Sequence, residues 1–275
     1  MNTLDRFRLD GRVAIITGGC GLLGRQHAAT IASGGGVPIL LDIERANPTA
    51  VAAKLSSDLK SACYGRVADI TQLPALIQLK DELLAEHGRI DILINNAANN
   101  PKVEGADSRN FSRLENFPLE MWEADIAVGL TGSFLCSRVF GTEMAARGRG
   151  VIVNVASDLG LIAPDQRLYR KAGLAPDAQP VKPVTYSVVK SGLLGLTRYL
   201  ATYWAQAGVR VNTLCPASVS NDQPEEFVTR VSNLIPMGRM SYPDEFQGAL
   251  LFLCSDASSY VTGTTLVVDG GRTCW

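Results

Sequence analysis

Only two histidines, His27 and His87, occur in 275 residues. No cluster of His, Cys, Asp and Glu shows ligand spacing, which argues against a metal centre. The same scarcity, with no G-x-S-x-G elbow, leaves a Ser-His-Asp hydrolase short of a base. His87 precedes Gly88 at an expected helix end, where an imidazole more often meets the helix dipole than does chemistry. The six cysteines, at 20, 63, 136, 215, 254 and 274, form no C-x-x-C pair. They read as reduced structural thiols without a disulfide framework. Charge is balanced, with 26 Lys and Arg against 27 Asp and Glu for a formal net of −1. No run of one sign occurs, so the footprint of a nucleic-acid binder is absent. The chain also lacks any stretch of about 18 apolar residues, and its charged start has no apolar signal core. A cytoplasmic protein with no membrane partner is expected.

What is present is a single α/β domain spanning residues 1–275. A hydrophobic content of 46% supports one sizeable core, and no repeat, low-complexity tract or linker divides the chain. Strands are predicted at 12–17, 37–42, 62–68, 91–95, 150–156, 209–214 and 264–268, alternating with helical stretches. Such alternation gives parallel β-α-β units: a doubly wound, Rossmann-type sheet of seven strands with helices on both faces. Ligands of these sheets bind beyond the carboxyl ends of the strands, at the switch point.

The run Arg12 to Thr17 reads as a buried strand, and Gly18, Gly21, Leu22, Leu23 and Gly24 follow at once. A helix is predicted from Leu22 to Ser33, stopped by Gly34-Gly35-Gly36. Glycines at this junction allow a tight turn, close approach of a pyrophosphate, and close helix–strand packing. The helix N-terminus offers its positive dipole end to the anion. The second strand ends in Asp42, followed by Ile43. A carboxylate there accepts hydrogen bonds from ribose hydroxyls and repels a 2′-phosphate, which favours NAD over NADP. Asp42 as the cap of a following helix is the plainer alternative, and Arg45 offers a partial phosphate partner, so the choice stays open.

Tyr186-Ser-Val-Val-Lys190 carries the chemistry. On a helix, residues four apart share one face, so the Lys190 ammonium can approach the Tyr186 phenol. An opposite charge lowers an ordinary tyrosine pKa of about 10 by roughly 1 to 3 units. The phenol then becomes a workable general acid and base. Ser157, at an expected strand end, would hydrogen-bond the substrate oxygen as charge develops on it. An exposed helical Tyr–Lys pair without chemistry is the alternative, and the surrounding motifs decide against it.

These motifs resemble those of the short-chain dehydrogenase/reductase family over about Leu9 to Gly271. Beside the glycine turn and the Tyr186/Lys190 pair stand Val67-Ala-Asp69-Ile70, Ile90 to Asn95-Asn96-Ala97, Asn154-Val-Ala-Ser157-Asp-Leu-Gly160, Arg210-Val-Asn212 to Pro216, Pro236-Met-Gly-Arg239, and Val261-Thr-Gly263 to Asp269-Gly-Gly271. The resemblance implies an NAD(P)-dependent oxidoreductase acting on CH–OH groups, with Ser157, Tyr186 and Lys190 catalytic. It places Asp69 and Ile70 at the adenine, Asn96, Ala97 and Ala98 along the cofactor, and Pro216, Val219 and Ser220 toward the carboxamide. It also implies a tetramer or dimer built on the helices around Glu120–Ala146 and Val184–Gln206. Gly129 falls where many members carry an asparagine that holds a relay water. Glycine has no side chain for this, and Thr131 or a backbone carbonyl is the expected substitute. Ala98 and Ala217 replace glycines of the pattern, and the Gly18/Gly21/Gly24 spacing is more usual in the extended subgroup.

Two segments, Asn99 to Pro118 and Leu161 to Val184, interrupt the layout as inserted loops expected at the substrate mouth. The second carries Arg167, Arg170, Lys171 and Lys182 against Asp165 and Asp177, a rim suited to a hydroxylated or anionic small molecule such as a sugar derivative. A solvated insertion without a substrate role is the alternative. A weaker resemblance, carried by Asn95 to Lys102, Val128 to Gly132 and Asp269 to Trp275, is to oxidoreductases of flagellin-modification and sialic-acid-like sugar pathways. Two other functions stay open: a cofactor-binding sensor that has lost catalysis, and a lyase or epimerase using bound NAD transiently.

Overall fold

The computed structural model describes residues 2–99 and 111–275. Seven strands form one parallel sheet in the order β3-β2-β1-β4-β5-β6-β7: β1 Val13–Thr17, β2 Val37–Asp42, β3 Tyr64–Val67, β4 Ile92–Asn95, β5 Gly150–Val155, β6 Val209–Pro216 and β7 Thr265–Val268. The predicted doubly wound sheet is present, with β6 two residues longer than the sequence suggested. Every residue of β1, β4 and β5 is buried, as expected of central strands covered on both faces. One apolar layer packs Ile15, Ile39, Leu93 and Ile152 with Leu76, Phe140 and Trp204; the other packs Ile16, Leu40, Ile94 and Val153 with Ile31, Phe246 and Leu250.

The chain order reverses between β1 and β4, so the crevice lies where Thr17 and Asn95 end their strands. Helices α1 Leu22–Ser33, α2 Pro48–Leu59 and α3 Leu73–His87 follow the first three strands. α1 has the predicted bounds. The left-handed residue that ends it is Gly35, at φ 87°, while Gly34 remains right-handed.

The segment expected around Glu120–Ala146 is one run of right-handed backbone. It comprises α4 Leu119–Ile126, α5 Gly132–Cys136 and α6 Thr142–Ala146, joined by wide π turns at Ala127–Thr131 and Ser137–Gly141. Ser133 Oγ donates to the Gly129 carbonyl at 2.9 Å and Ser137 Oγ to the Ser133 carbonyl at 2.7 Å. Hydroxyls bonded back to the i−4 carbonyl bend helices, and here they accompany the π turns. A buried polar chain then fixes α7 Val184–Tyr203 against the sheet: Asn95 donates to Asn154 (2.8 Å), Asn154 to Thr197 (2.8 Å), and Thr197 meets Thr213 (2.7 Å). Helices α8 Glu225–Ser232 and α9 Gln247–Cys254 complete the cover.

Residues 100–110 of the Asn99–Pro118 insertion lie outside the described residues. The Leu161–Val184 insertion folds over the strand ends in short 3-10 turns at Gln166–Tyr169 and Pro176–Ala178. Arg230 of α8 donates to the Arg170 carbonyl at 2.6 Å, Tyr169 meets Phe227 with ring centroids 5.8 Å apart, and the Lys182 amide donates to Gln166 Oε1 at 2.8 Å. No helix among the described residues is long and apolar enough to cross a membrane.

Candidate active site

The glycine turn is shaped by what a side chain would hit. Gly18 takes φ 62°, a left-handed conformation that glycine adopts at little cost, and a Cβ there would approach Ala97 Cα to 2.9 Å. A Cβ on Gly24 would collide with the Gly18 carbonyl and lie 2.8 Å from Gly19 Cα. Gly21, the α1 N-cap, meets only the Gly18 carbonyl, at 3.3 Å, so the three motif glycines are not equivalent. Gly19, outside the spacing pattern, is as tightly packed: its Cβ would lie 2.8 Å from Leu40 Cα. Asn96 locks this cradle from β4, its Nδ2 donating to the Thr17 and Gly18 carbonyls at 3.0 and 3.2 Å. The Asn96 and Ala97 amides both donate to Thr17 Oγ1 at 3.0 Å.

Asp42 stands at the end of β2, accepting from the Cys20 amide at 3.0 Å and the Ile43 amide at 2.9 Å. Its carboxylate thus ties the second strand to the glycine turn, a role the sequence did not reveal. Asp69 Oδ1 accepts from the Thr71 amide and hydroxyl, at 2.9 and 2.8 Å, and Ile70 is buried. Both carboxylates lie along the carboxyl edge of the sheet, on the β2–β3 side.

On the other side of the switch point a cavity of about 440 Å³ holds Ser157, Tyr186 and Lys190 together with Leu22, Leu23, Asn96, Pro216 and Val219. Ser220 sends its amide to the Ser241 carbonyl at 2.9 Å. Ala98 lines a small adjoining space with Asp125, Gly129, Thr185, Tyr186 and Lys190. Ser157, just beyond β5, donates its hydroxyl to Asp158 Oδ1 at 2.7 Å and accepts from the Leu159 amide at 3.2 Å. Lys190 is 5% exposed; its Nζ donates to the Val155 carbonyl at 2.8 Å and lies 5.9 Å from the Tyr186 ring centroid. The three predicted side chains thus line one cavity.

The electrostatic expectation is not met. Burial raises the Tyr186 phenol above its ordinary value, opposed by the Ser157 hydrogen bond and reinforced by the charge of Asp158. Burial also lowers the Lys190 ammonium to about 8. In the protein alone desolvation of the phenol sets the direction.

Gly129 is buried, and a Cβ there would sit 2.5 Å from Val189 Cγ1, so Val189 occupies the room a larger residue would need. Thr131, the side chain expected as a substitute, is exposed and lines neither space. The nearest polar pair is buried Asp125 with Thr185, whose hydroxyl donates to Oδ2 at 2.5 Å. Sequence reasoning missed Asp158 and Tyr169, and named Lys182 only as one member of a polar rim. Asp158 adjoins the predicted serine and Lys182 precedes the predicted tyrosine by four residues, and that proximity was the available signal.

A larger cleft of about 550 Å³ opens at the opposite end of the sheet among Arg12, Asp91, Arg149, Arg210 and Asp256. Arg12 and Arg149 both pair with Asp256 there, at 2.6 and 3.1 Å, and none of Ser157, Tyr186 and Lys190 lines it. Among the described residues no group of three or more His, Cys, Asp and Glu is placed to hold a metal ion.

A family model described as Enoyl-(Acyl carrier protein) reductase, of the short-chain alcohol dehydrogenase type, matches residues 22–273. The chain belongs to the short-chain dehydrogenase/reductase family. Its relatives include the D-threitol dehydrogenase of Mycolicibacterium smegmatis, 34% identical with 97% of this chain and 95% of that protein covered. The L-tagatose-forming galactitol 2-dehydrogenase of Cereibacter sphaeroides is 36% identical, covering 98% of each. Among solved structures, a gluconate 5-dehydrogenase from Burkholderia cenocepacia, in complex with NADP and tartrate, superposes with a TM-score of 0.86 at 30% identity over the whole of both chains. The protein is accordingly a pyridine-nucleotide-dependent oxidoreductase acting on CH–OH groups. The likeness of its loop phrases to flagellin-modification enzymes finds no support in these relatives.

The chain's own residues fit such a cofactor. The cradle tolerates no Cβ at Gly18 or Gly24, opens at the N-terminus of α1, and leads through Leu22, Leu23 and Asn96 into the cavity of the trio.

Proposed function

We propose that this protein is an NAD-dependent dehydrogenase of a sugar-derived secondary alcohol, with Ser157, Tyr186 and Lys190 as its catalytic residues. The observation that carries the reading is the single cavity shared by that trio and the residues leading from the glycine cradle. A bound nicotinamide supplies the hydride acceptor or donor. The substrate oxygen is held by the Ser157 hydroxyl, and the Tyr186 phenol oxygen takes its proton in oxidation or returns it in reduction. Lys190, fixed on the Val155 carbonyl, places positive charge beside the phenol and favours phenolate as the proton arrives and leaves. The threitol, galactitol and gluconate dehydrogenases among the relatives support a polyol-type substrate.

NAD is preferred because Asp42 ends β2 with its carboxylate fixed by two amides, where a 2′-phosphate would meet a negative charge. The Leu161–Val184 insertion forms part of the substrate mouth, since Tyr169 and Lys182 line the cavity. A homo-oligomer is supported by exposed apolar groups on one helical layer: Phe134 of α5 is 44% exposed, and Tyr199 and Tyr203 of α7 stack at 5.8 Å while 64% and 66% exposed. The six cysteines are free thiols, the state that a reducing cytoplasm maintains; recovery of the native protein outside the cytoplasm would contradict that location.

The test is hydride transfer followed at the nicotinamide absorbance with a panel of alditols and keto sugars. Tyr186→Phe should lower kcat/KM by about 10²- to 10⁴-fold while NADH still binds. Unchanged turnover in that variant would exclude the mechanism.

A further inference from the structure

Tyr169 ends the first 3-10 turn of the Leu161–Val184 insertion and lines the cavity that holds Ser157, Tyr186 and Lys190. The turn is clamped on α8 from both sides of the tyrosine. Arg230 donates to the Leu168 carbonyl at 3.4 Å and to the Arg170 carbonyl at 2.6 Å, and Leu168 packs against the buried Val231, Ile235 and Met240. Asp165 closes the start of the turn by accepting from the Arg167 amide at 3.0 Å. The Tyr169 ring itself meets Phe227 of α8, with centroids 5.8 Å apart and planes tilted by 45°.

These contacts hold the ring and make no use of its oxygen. Among the described residues no hydrogen bond engages the Tyr169 hydroxyl, and a phenylalanine would meet Phe227 equally well. Gln223, another polar group of the same wall, is already spent: it accepts from the Asn221 amide at 2.7 Å and donates to the Val219 carbonyl at 2.8 Å. Burial raises the Tyr169 phenol above its ordinary pKa, and the charges that Tyr186 and Asp158 carry when ionised add to the rise. Such influence falls with distance, so the phenol oxygen belongs to the same space as the reacting groups, and it stays protonated as a donor. A substrate filling the cavity displaces the water around this hydroxyl. An oxygen arriving there restores a hydrogen bond, whereas a hydrogen leaves a desolvated donor unpaired, the asymmetry by which a site rejects an analogue lacking one hydroxyl.

We propose that Tyr169 is a specificity-determining residue whose hydroxyl donates to a substrate hydroxyl on a carbon other than the one oxidised, so that the protein selects polyols over secondary alcohols lacking this second oxygen. This rests on the reading of the protein as a dehydrogenase of sugar-derived alcohols. Its test takes an alditol that the wild type turns over, threitol and galactitol first, and replaces its non-reacting hydroxyls by hydrogen one at a time. The ratio of kcat/KM for parent and analogue is measured in wild type and in Tyr169→Phe, which keeps the ring on Phe227 and removes one oxygen. Any general effect of the variant on hydride or proton transfer is common to both members of a pair and cancels in the ratio.

In wild type one analogue should fall about tenfold below its parent. In Tyr169→Phe the parent should lose about that factor and come within about twofold of the same analogue. A wild type insensitive to every replacement, or a discrimination that Tyr169→Phe leaves intact, would overturn the inference alone. Absence of turnover with every alditol and keto sugar would overturn the dehydrogenase reading and the inference with it. Should Tyr169→Phe fail to fold, Arg230→Met gives a second reading: it releases the turn that carries the tyrosine and should lower the same ratio. A ratio unmoved by that release would count against a fixed phenol at the substrate.

Discussion

Gly24→Ala and Gly21→Ala make the same chemical change at two positions of one motif, and the structure separates them. At Gly24 the new Cβ would collide with the Gly18 carbonyl and lie 2.8 Å from Gly19 C and Cα. All three neighbours are backbone, so no rotamer relieves the overlap, and α1 must move away from the turn. Overpacking of this kind costs about 1–3 kcal/mol, with the rigid case near the top. Gly→Ala inside a helix returns about 1 kcal/mol, leaving a net loss of about 2 kcal/mol. For a chain of this size that is a fall in Tm of roughly 4–8 °C. At Gly21 the backbone is extended, φ −71° and ψ 175°, and the tightest contact would be 3.3 Å. Only the small preference for glycine over alanine at an N-cap is lost, under about 1 kcal/mol. NADH fluorescence titration should show the same order, with affinity down by about tenfold or more in Gly24→Ala, because the displaced helix carries the amides proposed to receive the pyrophosphate. Thermal melts and titrations in which Gly21→Ala is hit as hard as Gly24→Ala would refute the packing argument.

Asp42→Ala should cost about tenfold in NADH affinity and narrow the gap between NADH and NADPH; a native protein that already prefers NADPH would refute the assignment. Lys182 and Lys190 are both lowered to about 8 from an ordinary 10.5. Between those values the unfolded chain holds more protons than the folded one, so their contribution makes stability rise with pH over that window. Urea denaturation from about pH 7.5 to 9.5 should show a shallower rise in Lys182→Met and Lys190→Met than in wild type; parallel curves would contradict the burial of charged lysines. The raised phenols of Tyr169 and Tyr186 act in the opposite direction only above their ordinary 10.0. Light scattering should report an oligomer, and a monomer at micromolar concentration would argue that the exposed face of α5 and α7 serves another purpose.

The proposed catalytic helix pair and the glycine cradle were legible in the sequence because each is written in local terms. Tyr186 and Lys190 are four apart on one helix, and Gly18 to Gly24 sit between a buried strand and α1, so residue spacing alone predicts a shared face or a tight turn. Asp158 was quoted without a role and Lys182 only as part of a rim, since nothing local says which side chains of an inserted segment reach the cavity. Asp125 and Thr185 are 60 positions apart and meet only because α4 packs against α7. The expected relay substitute at Thr131 failed for the same reason: helical position gives a face, and only packing says which face is covered.

Alternation of apolar runs with helical stretches determined, by itself, a parallel seven-stranded sheet with a crevice at its carboxyl edge, because crossovers need a helix's length and buried central strands must be apolar on both faces. The tertiary structure alone decided the electrical state of the site. Sequence placed a lysine near a phenol and predicted a lowered pKa; the fold buried both, and loss of water around the phenol raises it instead. Charge separation is local in sequence, whereas desolvation depends on everything that packs around a group.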